Sequence, residues 1–103
     1  MSVKIPYPRI KNLPMDTQLK MAKKGIPLKT QRLIGLLMFI GDGRLVTGAT
    51  VWHRCEKARE LFYLKKVIPK SPHPEIRLAL DVGMPFYQLT KKSQKLLSMV
   101  EEK

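Results

Sequence analysis

One uninterrupted apolar run, LIGLLMFI at residues 33–40, constrains the fold of this chain more than any other feature. The chain has 103 residues, which suffices for one modest hydrophobic core, and this run has to lie inside it. A run of eight apolar residues between basic and glycine residues is typical of a buried strand, because helices are usually longer. We therefore predict a strand at 33–40.

The chain breaks after this run at Gly41-Asp42-Gly43, and two continuations are open. The Asp-Gly step favours a hairpin turn into the Val- and Thr-rich segment that follows. The alternative is a loop over residues 41–49 that leads into a helix. Both alternatives agree with a strand before the turn.

Residues 50–68 carry the clearest helical pattern. The apolar residues Val51, Cys55, Ala58 and Phe62 recur at the spacing of one helix face, and Pro69 ends the element. This pattern predicts that Phe62 belongs to the core. We therefore expect Phe62→Ala to lower the free energy of unfolding by about 3–5 kcal/mol, as truncation of a buried aromatic does.

The segment 75–82 alternates between apolar and other residues. Its apolar members are Ile76, Leu78, Leu80 and Val82. A period of two is typical of a half-buried strand, and a helix that begins after Pro74 is the alternative. Residues 87–101 then carry a weak apolar stripe that predicts a terminal helix.

Strand, helix and strand in this order form a βαβ unit, whose right-handed crossover would make the two strands parallel. The predicted fold class is therefore α/β (α+β): a small βαβ core with a terminal helix and an extended basic N-terminal arm. We expect a single small domain at 33–103 and the arm at 1–32. Within the arm, residues 16–24 have the composition of a short helix that Gly25 would end.

The arm carries a large part of the positive charge. The whole chain has 20 Lys and Arg against 8 Asp and Glu, a formal net charge of +12. Residues 1–32 hold eight of these cations and one carboxylate, Asp16. A basic arm on a more balanced domain is typical of proteins that bind a phosphate backbone. The predicted RNA-binding residues are Lys4, Arg9, Lys11, Lys20, Lys23, Lys24, Lys29 and Arg32.

A membrane span does not fit the apolar part of the chain. The window 33–52 has the right length, but Asp42 and Arg44 lie at its centre. Each charge costs about 2.5–3.5 kcal/mol there, whereas each Leu, Ile, Phe or Val returns only about 0.3–0.6 kcal/mol. We therefore expect no membrane partner.

Catalytic and metal-binding patterns are missing from the sequence. Cys55 is the one cysteine, and His53 and His73 have no spaced partners that would complete a zinc site. The Gly-Asp-Gly step lacks the further residues of a phosphate-binding loop. We expect no enzyme activity, no cofactor, no metal and no small-molecule substrate.

Residues 58–85 resemble a known family. The stretch Ala58-Arg59-Glu60-Leu61-Phe62, the Ile68-Pro69 step and Pro74 before an alternating segment are similar to the thioredoxin-like domain of several mitochondrial ribosomal proteins. One small matrix-arm subunit of complex I shares that domain. The resemblance implies a thioredoxin-like scaffold without redox cysteines, in the mitochondrial matrix.

The function predicted from charge and resemblance together is a structural protein of the mitochondrial ribosome that binds rRNA and other ribosomal proteins. The arm would contact phosphates without reading sequence, and Tyr7 is a candidate to stack on a base. If the arm does not bind, the contact surface would consist of Arg54, Lys65, Lys66, Lys91, Lys92 and Lys95. The alternative function is an accessory subunit of a respiratory complex, in a form that includes association with the anionic lipid headgroups of the membrane.

Overall fold

The computed structural model describes residues 5–70 and 72–101. They form a mixed fold of α-helices and a small antiparallel sheet. The helices are α1 (Met15–Lys23), α2 (Leu28–Ile40), α3 (Ala49–Glu60), α4 (Pro74–Asp81) and α5 (Lys91–Glu101). The strands are β1 (Arg44–Leu45), β2 (Leu64–Lys66) and β3 (Phe86–Leu89).

Helix α2 forms the centre of the core, so the predicted strand at 33–40 is wrong. The helix begins five residues earlier, at Leu28, after Pro27 in an extended conformation. Leu, Lys, Gln and Arg in its first turns are good helix formers, and they lengthen the apolar run into a helix of 13 residues. Residues 34–38 and 40 are buried, which makes this half of the helix apolar on nearly all sides.

The sheet has the order β1-β3-β2 with both pairs antiparallel. Tyr87 lies in the middle of it, opposite Arg44 on one side and Lys66 on the other. The turn at 41–43 therefore leads into a strand that pairs with β3, not into a hairpin with the preceding run. The parallel βαβ core is not present in the described residues, and a thioredoxin-like arrangement is not confirmed.

The segment 75–82, predicted as a strand, is largely helix α4, the alternative that the sequence left open. Pro74 occupies the first helical position, where a missing N–H costs nothing. The His73 Nδ1 atom accepts a hydrogen bond from the backbone N–H of Glu75 at 3.3 Å and caps the helix. These two local signals outweigh the alternation of the apolar residues.

Helix α3 is shorter than the predicted 50–68. Val51, Cys55 and Ala58 are buried as the stripe predicted. The helix ends at Glu60, however, and the chain turns through Phe62 into β2. Phe62 is 73% exposed, so its predicted place in the core is wrong.

Residues 5–32 do not form an extended arm. The short helix expected at 16–24 is α1, and α2 begins before residue 33. Leu13, Met21 and Ile26 are buried in the same core as α2, and α1 packs against α5. The apolar residues between the lysines explain this difference, because they need burial as much as those of the predicted domain.

The predicted terminal helix at 87–101 is confirmed from residue 91 onward, where α5 lies with Leu97 and Val100 buried. The first residues of the predicted stretch form β3 instead. Thr90 and Ser93 cap the helix reciprocally: the Thr90 N–H donates to Ser93 Oγ and the Ser93 N–H to Thr90 Oγ1. This capping pair marks the boundary between strand and helix.

Candidate nucleic-acid interface

A basic groove lies where the segment after Ile5 crosses α2 and α3. Its volume is about 320 Å³. It is lined by Pro8, Arg9, Ile10, Lys11, Arg32 and Arg54. Four of these six residues are cations, and none of this lining, taken from the described residues, is a carboxylate. The arrangement is suited to an anion.

Arg54 on α3 builds the groove. Its Nη1 atom donates to the carbonyl oxygen of Pro8 at 2.9 Å, and its Nη2 atom donates to the carbonyl oxygen of Arg32 at 3.1 Å. The side chain thus ties the N-terminal segment to α2, and it engages two of the five N–H donors of a guanidinium in doing so. Burial lowers the pKa of Arg54, but an arginine stays charged in a protein.

Arg9 is positioned by Tyr7. The guanidinium carbon of Arg9 lies 5.3 Å from the centre of the Tyr7 ring. The Tyr7 carbonyl oxygen accepts hydrogen bonds from the Arg9 N–H at 2.7 Å and from Asn12 Nδ2 at 3.1 Å. Tyr7 itself is half-buried against the core. Its ring therefore supports a cation of the groove, which is a different role from the base stacking predicted for it.

A second arginine fixes the same segment further along. Arg44 Nη1 donates to the carbonyl oxygens of Ile5 at 3.1 Å and Phe39 at 3.2 Å. Its guanidinium carbon lies 3.9 Å from the centre of the Phe39 ring, a cation–π distance. Since Arg44 and Arg54 both hold backbone oxygens, the segment that carries Arg9 and Lys11 has a defined path over the core.

The predicted RNA-binding residues separate into two groups. Arg9, Lys11 and Arg32 meet in the groove. The others lie elsewhere: Lys20 and Lys23 on α1, Lys24 at the C-terminal end of that helix, and Lys29 in the first turn of α2. Lys24 Nζ donates to the carbonyl oxygen of Met99 on α5. Lys4 lies outside the described residues.

Arg54 is the groove residue that the predicted set missed. It was assigned only to the alternative contact surface, because it lies on α3 and the arm was expected to stand apart from α3. Of that alternative surface, Lys66 pairs with Glu56 at 3.3 Å, and Lys92 Nζ donates to the Leu61 carbonyl oxygen at 2.8 Å. Lys65, Lys91 and Lys95 are exposed.

Glu56, the acidic residue two positions after Arg54, has its own partners. It accepts hydrogen bonds from Arg59 at 2.9 Å and from the Tyr87 hydroxyl at 2.5 Å, besides its pair with Lys66. The hydrogen bonds from Arg59, with those from Tyr87 and Lys66, lower the pKa of Glu56 to about 2. Its charge is thereby compensated within the link between α3 and the sheet.

Residues 5–70 and 72–101 contain neither a cluster of metal ligands nor a membrane-spanning helix. Their His, Cys, Asp and Glu residues form no group of three or more that would hold a metal ion. Their helices are too short or too polar to cross a membrane. The basic groove is therefore the surface from which we infer the function of this protein.

Comparison of the chain with known protein families, curated proteins and solved structures finds no match. The interpretation of the groove accordingly depends on its own geometry and charge.

Proposed function

We propose that this protein is a structural RNA-binding protein that neutralises backbone phosphates in the basic groove. The supporting observation is the convergence of Arg9, Lys11, Arg32 and Arg54 around one cavity. Four cations at one place repel each other, so an anionic ligand that enters among them is stabilised. A polyanion fits better than a small anion because the net charge of +12 extends well beyond the groove.

Binding in this groove would be independent of sequence. Lysine and arginine side chains contact phosphate oxygens and release counterions, which gives affinity and position but no base readout. Arg54 would act as a fixed donor because two backbone bonds already hold its guanidinium. Arg9 and Lys11 are exposed and would adapt to the path of the strand.

The assembly we propose is the mitochondrial ribosome, in the matrix, with rRNA and other ribosomal proteins as partners. The resemblance at residues 58–85 suggests this assembly. An apolar surface for protein neighbours is available at α4: Leu78 is 68% exposed, and Val82, four residues later at the end of the helix, is 69% exposed. Exposed apolar residues that lie together are typical of protein interfaces.

A catalytic role is not part of the proposal, for chemical reasons. The Cys55 thiol is fully buried, and burial raises its pKa to about 12, which leaves little thiolate for nucleophilic attack. Glu56 has a pKa of about 2 and cannot act as a general acid near neutral pH.

The groove is tested with two triple variants that each lose three positive charges and therefore have the same net charge. The triple variant Arg9→Ala, Lys11→Ala, Arg32→Ala is compared with the control Lys23→Ala, Lys65→Ala, Lys70→Ala, whose cations are exposed and do not line the groove. RNA affinity is measured across a salt series, with circular dichroism as folding control. The groove variant should lower the slope of log K against log salt by about 2 to 3, and the control should leave it close to wild type.

Equal losses in the two variants would contradict a defined groove and indicate diffuse attraction to the whole surface. Truncation of residues 1–24 is unsuitable here, because it removes the buried Leu13 and Met21 with the cations. The assembly is tested separately by sedimentation of the tagged protein. Migration with a ribosomal particle that ribonuclease disperses supports the proposal, and migration with an RNA-free respiratory complex contradicts it.

A further inference from the structure

Phe62 has a strained backbone conformation, and its apolar side chain is exposed to solvent. Its φ angle is 66°, the one positive value among the described residues other than glycine. Its side chain is 73% exposed, although it is one of the largest apolar residues in the chain. Neither property benefits the isolated fold, so a role in binding is a reasonable explanation.

The backbone strain has a clear structural origin. The N–H of Tyr63 donates to the Ala58 carbonyl at 2.9 Å, and the N–H of Phe62 donates to the Arg59 carbonyl at 3.0 Å. These two bonds form the Schellman motif that ends α3, with Phe62 at the left-handed position where glycine is usual. A glycine at position 62 would fit the same turn without the clash of Cβ.

The turn is held from α5 through backbone oxygens. Thr90 Oγ1 donates to the Phe62 carbonyl at 2.5 Å, and Lys92 Nζ donates to the Leu61 carbonyl at 2.8 Å. Lys92 Nζ also lies 4.4 Å from the centre of the Tyr63 ring. The protein thus fixes the main chain on both sides of Phe62 and leaves the ring itself in solvent.

A strip of α3 connects this aromatic ring with the basic groove. Arg54, Lys57 and Leu61 are separated by three and four residues, so they share one face of the helix. The rise from Arg54 to Leu61 is about 10 Å, at 1.5 Å per residue. Lys57 is exposed between them, and Phe62 follows Leu61 at the end of the strip.

We propose that Phe62 stacks on an unpaired base of the RNA whose phosphates occupy the groove. This inference rests on the proposed function and narrows the ligand to RNA with a single-stranded segment. Stacking on aromatic side chains next to a positively charged groove is how proteins bind single strands without sequence preference. A base presents an apolar face for Phe62, and its phosphates pair with Lys57 and the exposed lysines of α5.

The cations around Phe62 favour this occupant over an apolar protein surface. Lys57 lies before it on α3, and Lys92 of α5 donates to the carbonyl oxygen of the preceding Leu61. Lys91 and Lys95 on the same helix are exposed. An apolar partner would cover the ring but would remove water from these charges without compensation, which is unfavourable. A nucleic-acid strand supplies both a planar ring and negative charge.

The test measures binding to two RNAs, a 12-nucleotide single strand containing 2-aminopurine and a blunt duplex of the same length. Phe62→Ala should weaken single-strand binding about 5- to 150-fold, which corresponds to the loss of one base–aromatic stack, and leave duplex binding unchanged. Phe62→Trp should retain single-strand affinity. Quenching of 2-aminopurine fluorescence should accompany binding by wild type and be lost in Phe62→Ala.

Two controls separate stacking from folding and from general apolar contact. Phe62→Gly relieves the strained turn, so it should raise the melting temperature while it weakens single-strand binding as Phe62→Ala does. Ile68→Ala removes a side chain that is more exposed than Phe62 and should leave RNA binding unchanged.

The stacking inference is wrong if Phe62→Ala keeps the single-strand affinity and the fluorescence quenching of the wild type. The groove is tested independently, because the triple variant can still lose affinity for both RNAs in that case. If Phe62→Ala instead prevents co-sedimentation with the particle without changing RNA affinity, Phe62 contacts a protein and the inference is also wrong. Unchanged affinity in the groove variant would contradict the proposed function itself.

Discussion

Helices α2 and α4 have opposite surroundings in the fold. Both contain a run that reads as a strand in the sequence. In α2, residues 34–38 and 40 are buried, whereas no residue of α4 is buried. Leu37 is fully buried, and Leu78 is 68% exposed. The same residue type therefore stabilises the core in one helix and stays available to a partner in the other.

The difference shows what each sequence pattern can and cannot specify. A continuous apolar run such as 33–40 requires burial on all sides, which a central helix satisfies as well as a central strand. The alternating run 76, 78, 80 and 82 also contains two pairs spaced by four residues, and such pairs share a face of a helix. In α4 the pair Leu78 and Val82 faces solvent.

The largest effect is expected when one leucine in each of the two helices is truncated to alanine. Leu37→Ala should lower the free energy of unfolding by about 2–5 kcal/mol, because it leaves a cavity in the core. Leu78→Ala should change it by less than about 0.5 kcal/mol, as surface substitutions do. Urea unfolding followed by circular dichroism measures both. Similar losses in the two variants would mean that α4 belongs to the core.

The parts of the fold that were predicted correctly depend on local signals. The buried stripe Val51, Cys55 and Ala58, the helix at 16–24 and the C-terminal part of α5 follow from spacing within a few turns. The sheet depends on contacts far apart in the sequence: Arg44 pairs with Tyr87, and Leu64 with Leu89. Strands of two to four residues carry too little pattern to show such pairing.

The site, like the fold, was predicted only where the evidence for it is local in the sequence. Charge and composition identified Arg9, Lys11 and Arg32 as candidates. That they meet Arg54 depends on two hydrogen bonds to backbone oxygens, at Pro8 and at Arg32. Backbone acceptors exist at every residue, so no sequence pattern indicates which of them an arginine will bind.

The reactivity of cysteine thiols is a second way to measure how much less solvent reaches the core than reaches α4. Cys55 is fully buried and has a pKa of about 12, whereas an exposed cysteine has a pKa near 8.5. At pH 8 the native protein should react with iodoacetamide at least 100-fold more slowly than a Leu78→Cys variant that also carries Cys55→Ala. In denaturant the two rates should converge. Equal rates under native conditions would contradict the burial of Cys55.

The smallest effect concerns the polar link beside the core, where Glu56 joins α3 to the sheet. Its pKa of about 2 lies below the value near 4.3 of an unfolded glutamate. A carboxylate with a lowered pKa in the folded state stabilises the protein above the unfolded pKa, and this stabilisation is lost as pH falls from about 4.3 to 2.

Glu56→Gln tests the link because glutamine can still accept a hydrogen bond from the Tyr87 hydroxyl but carries no charge. The Glu56 side chain is 24% exposed, and solvent screening limits the effect to roughly 1 kcal/mol, or about 4–8 °C in melting temperature. The difference between wild type and Glu56→Gln should be largest near pH 6 and vanish near pH 2. Glu60→Gln, an exposed carboxylate on the same helix, serves as control. If both variants follow the same pH profile, Tyr87, Arg59 and Lys66 do not stabilise the Glu56 carboxylate, and α3 is held in place by its buried residues and by the hydrogen bonds of Arg54.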